Sequence, residues 1–293
     1  MSVRSDVAYR YDGSYEGFLC CVFRAVYQKE DPAEICCFEE AQPTLFYEVD
    51  VDTEPEKATR VEKSFVRIGA GPLLQNVFFS CMPQKEKACL AFLRFAYRQK
   101  GQAAVSMLSH PLVAPLMAAQ KFLFNESHLF KEFLRFSDHG GALTAVIEPK
   151  NFVLPYIAPH FAARYPCEYF LIWDKTHKAA FVHTPAQQGI FPLEAFTPPP
   201  VSKEEQTMRA MWKSFYDTIE IKARHNPRCR MTHMPKRYWA HMTELCPDSA
   251  YESPLTGGEA SSAAAMQDIL YKGALFTPEK SLSSAENPVS HLP

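Results

Sequence analysis

The sequence predicts a mixed α/β fold of the α+β kind: a small mixed sheet with many packed helices, then a disordered C-terminal tail. Three observations predict it. A strand–turn–helix pattern opens the chain at VAYRYDGSYEGFLCCVF. Apolar residues recur at helical spacing through much of 55–138. Two apolar runs, EYFLIWD and KAAFVH, read as a β-hairpin between 168 and 183. With 47% hydrophobic residues over 293 positions, the chain can bury a sizeable core. The expected organisation is one α/β domain over 1–246, with a sub-boundary near 85–100, and an acidic tail over 247–293.

Each element has a local reason. Val7 to Tyr11 alternates like a short strand, and Asp12-Gly13-Ser14 is a turn signal. Phe18, Leu19, Val22, Phe23 and Val26 then fall on one helical face. TLFYEVDVDT (44–53) reads as a second strand, and 55–81 and 86–99 read as helices. Residues 110–138 form a long helical stretch whose Phe122, Phe130, Phe133 and Phe136 make an aromatic stripe. ALTAVIEP (142–149) is a strand, and YIAPHFAARYP (156–166) is a short helix closed by Pro166. After the Pro-rich connector FTPPPVS (196–202), Ser202 and Glu205 make a capping box. Met208, Met211, Trp212, Phe215 and Ile219 give that helix one apolar face. It should end near Arg224, because Asn226 precedes a proline. A final short helix should run over 235–245 from Pro235. Residues 261–276 carry the pattern of one more short helix within the tail.

Charge is segregated along the chain. Residues 1–90 hold 10 Lys/Arg against 15 Asp/Glu, 91–246 hold 19 against 12, and 247–293 hold 2 against 6. A positive interior between acidic ends suggests a localised anionic partner. The nine cysteines include two adjacent pairs and no CxxC, which reads as free thiols in a reducing compartment. The N-terminus lacks the apolar core of a signal peptide, and no run of 18 apolar residues occurs, so a soluble cytoplasmic protein without a membrane segment is expected. No metal site or cofactor is expected.

The charge concentrates in ARHNPRCRMTHMPKRYWAHM (223–242), which has no Asp or Glu. Arg224, Arg228, Arg230, Lys236 and Arg237 lie within it, Lys222 lies just ahead, and Tyr238 and Trp239 form an aromatic pair. Cations neutralise phosphates and flat rings stack on unpaired bases, so these residues are the candidate nucleic-acid-binding set. A solvated surface loop is the alternative. As metal ligands, His225, His233 and His241 are irregularly spaced. A second candidate is catalytic. His160 and Arg164 share a helix face, and Asp174 ends the next strand, a set able to run acid/base chemistry on a phosphate or sugar. The alternative for that set is an ion-pair or capping network. Glu126, His128 and Arg135 form a third polar set, whose alternative is an exposed helix face.

YDGSYEGFLCCVF, ESHLFKEFLRF, LPYIAPHFAARYP with FLIWD, and NPRCRMTHMPKRYWAHMTE occur in that order. Together they resemble a bacterial family of DNA-metabolism or DNA-repair proteins built on a domain of unknown function, over roughly 7–245. Matching residues are Tyr11, Asp12, Gly13, Glu126, His128, Arg135, Phe136, His160, Phe161, Arg164, Asp174, Asn226, Pro227, Met234, Pro235, Arg237, Tyr238 and Trp239. The resemblance implies a radical-SAM protein as partner and DNA as target. In some members a similar domain precedes a uracil-DNA glycosylase-like domain. This sequence has no CxxxCxxC, so radical chemistry would come from the partner. The expected function is therefore a nucleic-acid-binding accessory protein of DNA repair or modification. The alternatives are an enzyme centred on His160, Arg164 and Asp174, and a module that docks an acidic protein.

Overall fold

The computed structural model describes residues 4–40, 42–99, 102–139, 141–198 and 201–245. The tail expected over 247–293, and the helix expected at 261–276, lie outside the described residues. The chain divides into two compact units. One comprises Met1–Glu126 with Lys150–Phe152; the other comprises Ser127–Pro149 with the chain from Val153 onward.

The first unit starts with β1 (Val7–Tyr11), buried at every position. α1 (Tyr15–Tyr27) follows, then β2 (Glu34–Cys37) and β3 (Tyr47–Asp50). All three strands are parallel, in the order β2-β1-β3, so Tyr9 faces Ile35 on one side and Val49 on the other. A strand flanked on both sides and covered by helices must be apolar along its whole length, as β1 largely is. Gly13 takes φ +79°, a turn that an L side chain resists. Ser14 then caps α1 by accepting from Gly17 N. β2 has no clear sequence signal, because EICC is short and sits beside charged residues.

The helix expected over 55–81 is two helices, α2 (Pro55–Arg67) and α3 (Gly71–Phe78). Gly69 at φ +70° breaks the run between them. α4 (Lys85–Arg98) and α5 (Gln102–Val105) follow. Phe18, Phe65, Leu74, Leu90, Phe92 and Leu116 are fully buried in one apolar cluster. α6 (Ala114–Phe133) carries the chain out of this unit.

In the second unit, β4 (Ser137–Asp138) and β5 (Ala142–Ile147) precede α7 (Leu154–Arg164). Next come β6 (Tyr169–Asp174), β7 (Ala179–His183) and β8 (Gln188–Pro192). The sheet order is β4-β5-β6-β7-β8, with only β5 and β6 parallel. That parallel pair needs a crossover, which α7 supplies. The hairpin of β6 and β7 stands where EYFLIWD and KAAFVH place it. β8, holding Gly189 and Pro192, is too weak a pattern to read from sequence. One sheet face packs Leu171, Trp173, Ala180 and Val182 against Phe191, Leu193 and Phe196. Phe170 and Phe181 pack on the other face, where Phe136 meets Phe161, Tyr165 and Phe170 edge to face.

α8 (Lys203–Ile219) is capped by Ser202, which accepts from Glu205 N at 3.1 Å. It ends at Ile219 rather than near Arg224. Asn226 and Pro227 do not stop a helix; they start one, α9 (Pro227–His233). The Asn226 side chain accepts from Cys229 N at 3.0 Å, and Pro227 occupies the first turn, where its missing N–H costs nothing. The helix expected over 235–245 is instead a 3-10 turn, Lys236–His241. Among the described residues no helix is long and apolar enough to cross a membrane. Cys20, Cys21, Cys81, Cys89, Cys167 and Cys229 are free thiols.

Candidate nucleic-acid interface

The basic strip is folded rather than looped. Lys222–Arg224 makes a 3-10 turn, α9 follows, and Pro235 leads into the 3-10 turn at Lys236–His241. Tyr238 anchors this chain. It is 4% exposed and meets the Phe130 ring edge to face at 5.0 Å. Arg237 lies over the same Tyr238 ring, 4.7 Å from its centroid, and donates to the Tyr238 hydroxyl. Tyr238 therefore has no face to offer a base, contrary to its expected role beside Trp239. The sequence could not show this, because adjacent residues in a tight turn point in different directions.

Trp239 is half-buried, with its indole N–H donating to the Met234 carbonyl at 3.0 Å. Arg230 and Lys236 place cations 5.3 and 5.8 Å from its ring. Arg230 also reaches the Tyr216 hydroxyl at 3.5 Å. Arg224, Arg228 and Lys236 are exposed. Among the described residues, no carboxylate stands within ion-pair distance of Arg224, Arg228, Arg230 or Lys236. His225 is different, since it pairs with Glu220. The strip thus carries four cations without internal neutralisation, two of them against one indole.

The far end of the strip is pinned. Glu244, with its side chain 3% exposed, accepts from Arg135 Nη2 at 2.6 Å and from the Trp212 indole at 3.2 Å. His241 Nε2 lies 3.2 Å from Glu148 Oε1, and Lys175 donates to the same oxygen at 3.0 Å. The Lys175 hydrogen bond, helped by His241, holds the Glu148 carboxyl below its ordinary range. Arg135, Glu148, Arg237 and His241 line a shallow pocket that also takes in Phe130 and Tyr238. Glu148 and Glu244 carry no motif signal of their own; only their distant partners identify them.

The other candidates do not assemble. Asp174 is fully buried, and both its oxygens serve the hairpin turn. Oδ1 accepts from His177 N at 3.1 Å and Oδ2 contacts His177 Nδ1 at 2.7 Å. No hydrogen bond or ion pair joins it to His160 or Arg164 among the described residues. Those two are exposed on α7. Partial burial, then the charges of Lys131 and Arg164, lower the His160 pKa. Arg164 lies against Tyr165.

Glu126, His128 and Arg135 also part company. Glu126 is 1% exposed and binds the backbone at Lys150 and Asn151. His128 is exposed and pairs with Glu132. Arg135 lies past the helix end, on Glu244. In the first unit, Asp12 Oδ1 accepts from the Ser14 N–H and hydroxyl, and Oδ2 from the Thr53 hydroxyl at 2.7 Å. Burial works to raise its pKa, yet those hydrogen bonds outweigh it and leave the carboxyl lowered. A Cβ on Gly17 would come within 2.2 Å of Asp12 Oδ1, so the carboxylate is packed as a turn brace. Among the described residues, no group of three or more His, Cys, Asp or Glu could hold a metal ion.

A family model described as a domain of unknown function, DUF4130, matches residues 83–244, more than half of the chain. The match takes in the basic strip and Glu244. No curated protein and no solved structure matches.

Proposed function

The chain belongs to the DUF4130 family, defined by a domain of unknown function, and on that premise we propose that it is a nucleic-acid-binding accessory protein of DNA repair or modification. DNA is its target, and a radical-SAM protein is the partner that supplies the chemistry. The observation that carries this reading is the set of carboxylate-free cations, Arg224, Arg228, Arg230 and Lys236, in one strip with the half-buried Trp239. Guanidinium groups fork onto phosphate oxygens, and an indole face takes a base without regard to sequence. With Tyr238 turned inward, Trp239 is the ring of the pair left for stacking, which suits a single strand better than a duplex. The partner rests on the family resemblance of the four ordered motifs.

The test is fluorescence-anisotropy titration of labelled single strands and duplexes across a salt series. Replacing Arg224, Arg228 and Lys236 together with Ala should flatten the single-strand salt slope by roughly 2, at about 0.7 for each phosphate no longer neutralised. Trp239→Ala should weaken single-strand binding by about 1–3 kcal/mol and spare duplex binding. Unchanged affinity and slope in both variants would reject the reading. Co-purification of the intact chain from native cells, probed for a radical-SAM protein, tests the partner separately.

A further inference from the structure

α8 is amphipathic in the wrong sense. Its half-buried positions are Glu205, Arg209, Lys213 and Tyr216. Its apolar side faces outward: Met208 is 62% exposed, Met211 61%, Phe215 52% and Ile219 56%, and no residue of the helix is buried. Trp212, which stacks on Phe215 at 5.7 Å, belongs to the same stripe. Five large apolar side chains on successive turns make a contiguous patch that a monomeric surface rarely leaves uncovered.

We infer that α8 is the docking surface for the chain's own segment 264–276, so that this helix and the C-terminal residues form an intramolecular pair. Two observations select that occupant over a second copy or a foreign helix. Met266, Ile269, Leu270 and Phe276 recur at helical spacing, a stripe that fits within the α8 face. The chain also leaves the described region beside the patch, because Glu244 accepts from the Trp212 indole at 3.2 Å. The 21 steps from Leu245 to Met266 reach up to about 70 Å. α8, at 17 residues, is about 25 Å long. Such a tether gives the segment an effective concentration on the order of millimolar, which a second copy does not match in dilute solution. Docking there does not depend on nucleic-acid binding, since the patch is apolar and the basic strip takes no part in it.

Hydroxyl-radical footprinting of the full chain reads the pair directly through the thioethers of Met208 and Met211. In the wild type at micromolar concentration both should oxidise slowly. Ile269→Asp with Leu270→Asp should speed both at least threefold and leave Met107 unchanged. Equal oxidation in wild type and variant overturns the proposal. Protection that survives in the variant also overturns it, in favour of a second copy if the protection grows with protein concentration. Hydrogen exchange of α8 amides in the same two proteins should move in parallel.

Discussion

Glu126 gives the sharpest test of how the first unit is held. Its Oε1 accepts from Lys150 N at 3.1 Å, and its Oε2 from Asn151 N at 2.8 Å and Asn151 Nδ2 at 2.5 Å. Asn151, fully buried, in turn accepts from Cys81 N at 2.9 Å. One carboxylate therefore fixes a backbone corner that fixes another. Glu126→Ala strips the acceptor from two backbone N–H groups and a carboxamide. A buried donor left unmade costs about 1–3 kcal/mol, and water entering the vacated space offsets part of that. A net loss of about 3–5 kcal/mol follows from those terms. Glu126→Gln keeps the shape and one carbonyl oxygen, so its loss should be about half as large. Equilibrium urea unfolding followed by circular dichroism measures both, with the denaturant slope unchanged. Single-strand affinity of the folded variants should not move, because Glu126 lies outside the strip. A loss for Glu126→Ala below about 1 kcal/mol would mean that the corner does not depend on this carboxylate.

The second unit supplies two more tests. Glu244→Ala leaves the half-buried Arg135 guanidinium without its carboxylate and frees the end of the strip, so stability should fall by about 3 kcal/mol by urea unfolding; a variant as stable as the wild type would show the pair to be idle. Glu148 has its folded pKa depressed, so its pairing with Lys175 and His241 stabilises the unit above the ordinary carboxyl pKa and fades as pH falls through the depressed value. Lys175→Met should move the Glu148 titration upward by carbon-13 NMR, and an unmoved titration would assign the depression elsewhere.

Local features were the legible ones. Ser202 and Glu205 announce the start of α8, and Asp12-Gly13-Ser14 announces the start of α1, because a cap is a contact within one helical turn. Periodicity marks the hairpin of β6 and β7 because both strands are apolar along most of their length. Asn226-Pro227 carries two opposite local meanings, helix stop and helix start. The Cys229 N–H bound by Asn226 selects the second. Asp174 reads as chemistry in the sequence, beside His160 and Arg164, and Glu126 as one member of a polar helix set. The Glu126 hydrogen bonds go instead to backbone N–H groups at Lys150 and Asn151, which no spacing rule names, and Asp174 is spent on His177 within its own hairpin turn.

Residue order was enough to say where charge collects, where most helices and strands lie, and that the chain mixes both, because these depend on neighbours within a turn or on alternation along a strand. Direction came only with the folded chain: Tyr238 turns in against Phe130 while Trp239 stays half-exposed among cations, and α8 turns its apolar stripe outward. Where a side chain points depends on what a distant segment brings to the same place. Residues 135 and 244, or 148 and 241, meet only after the backbone has closed on itself.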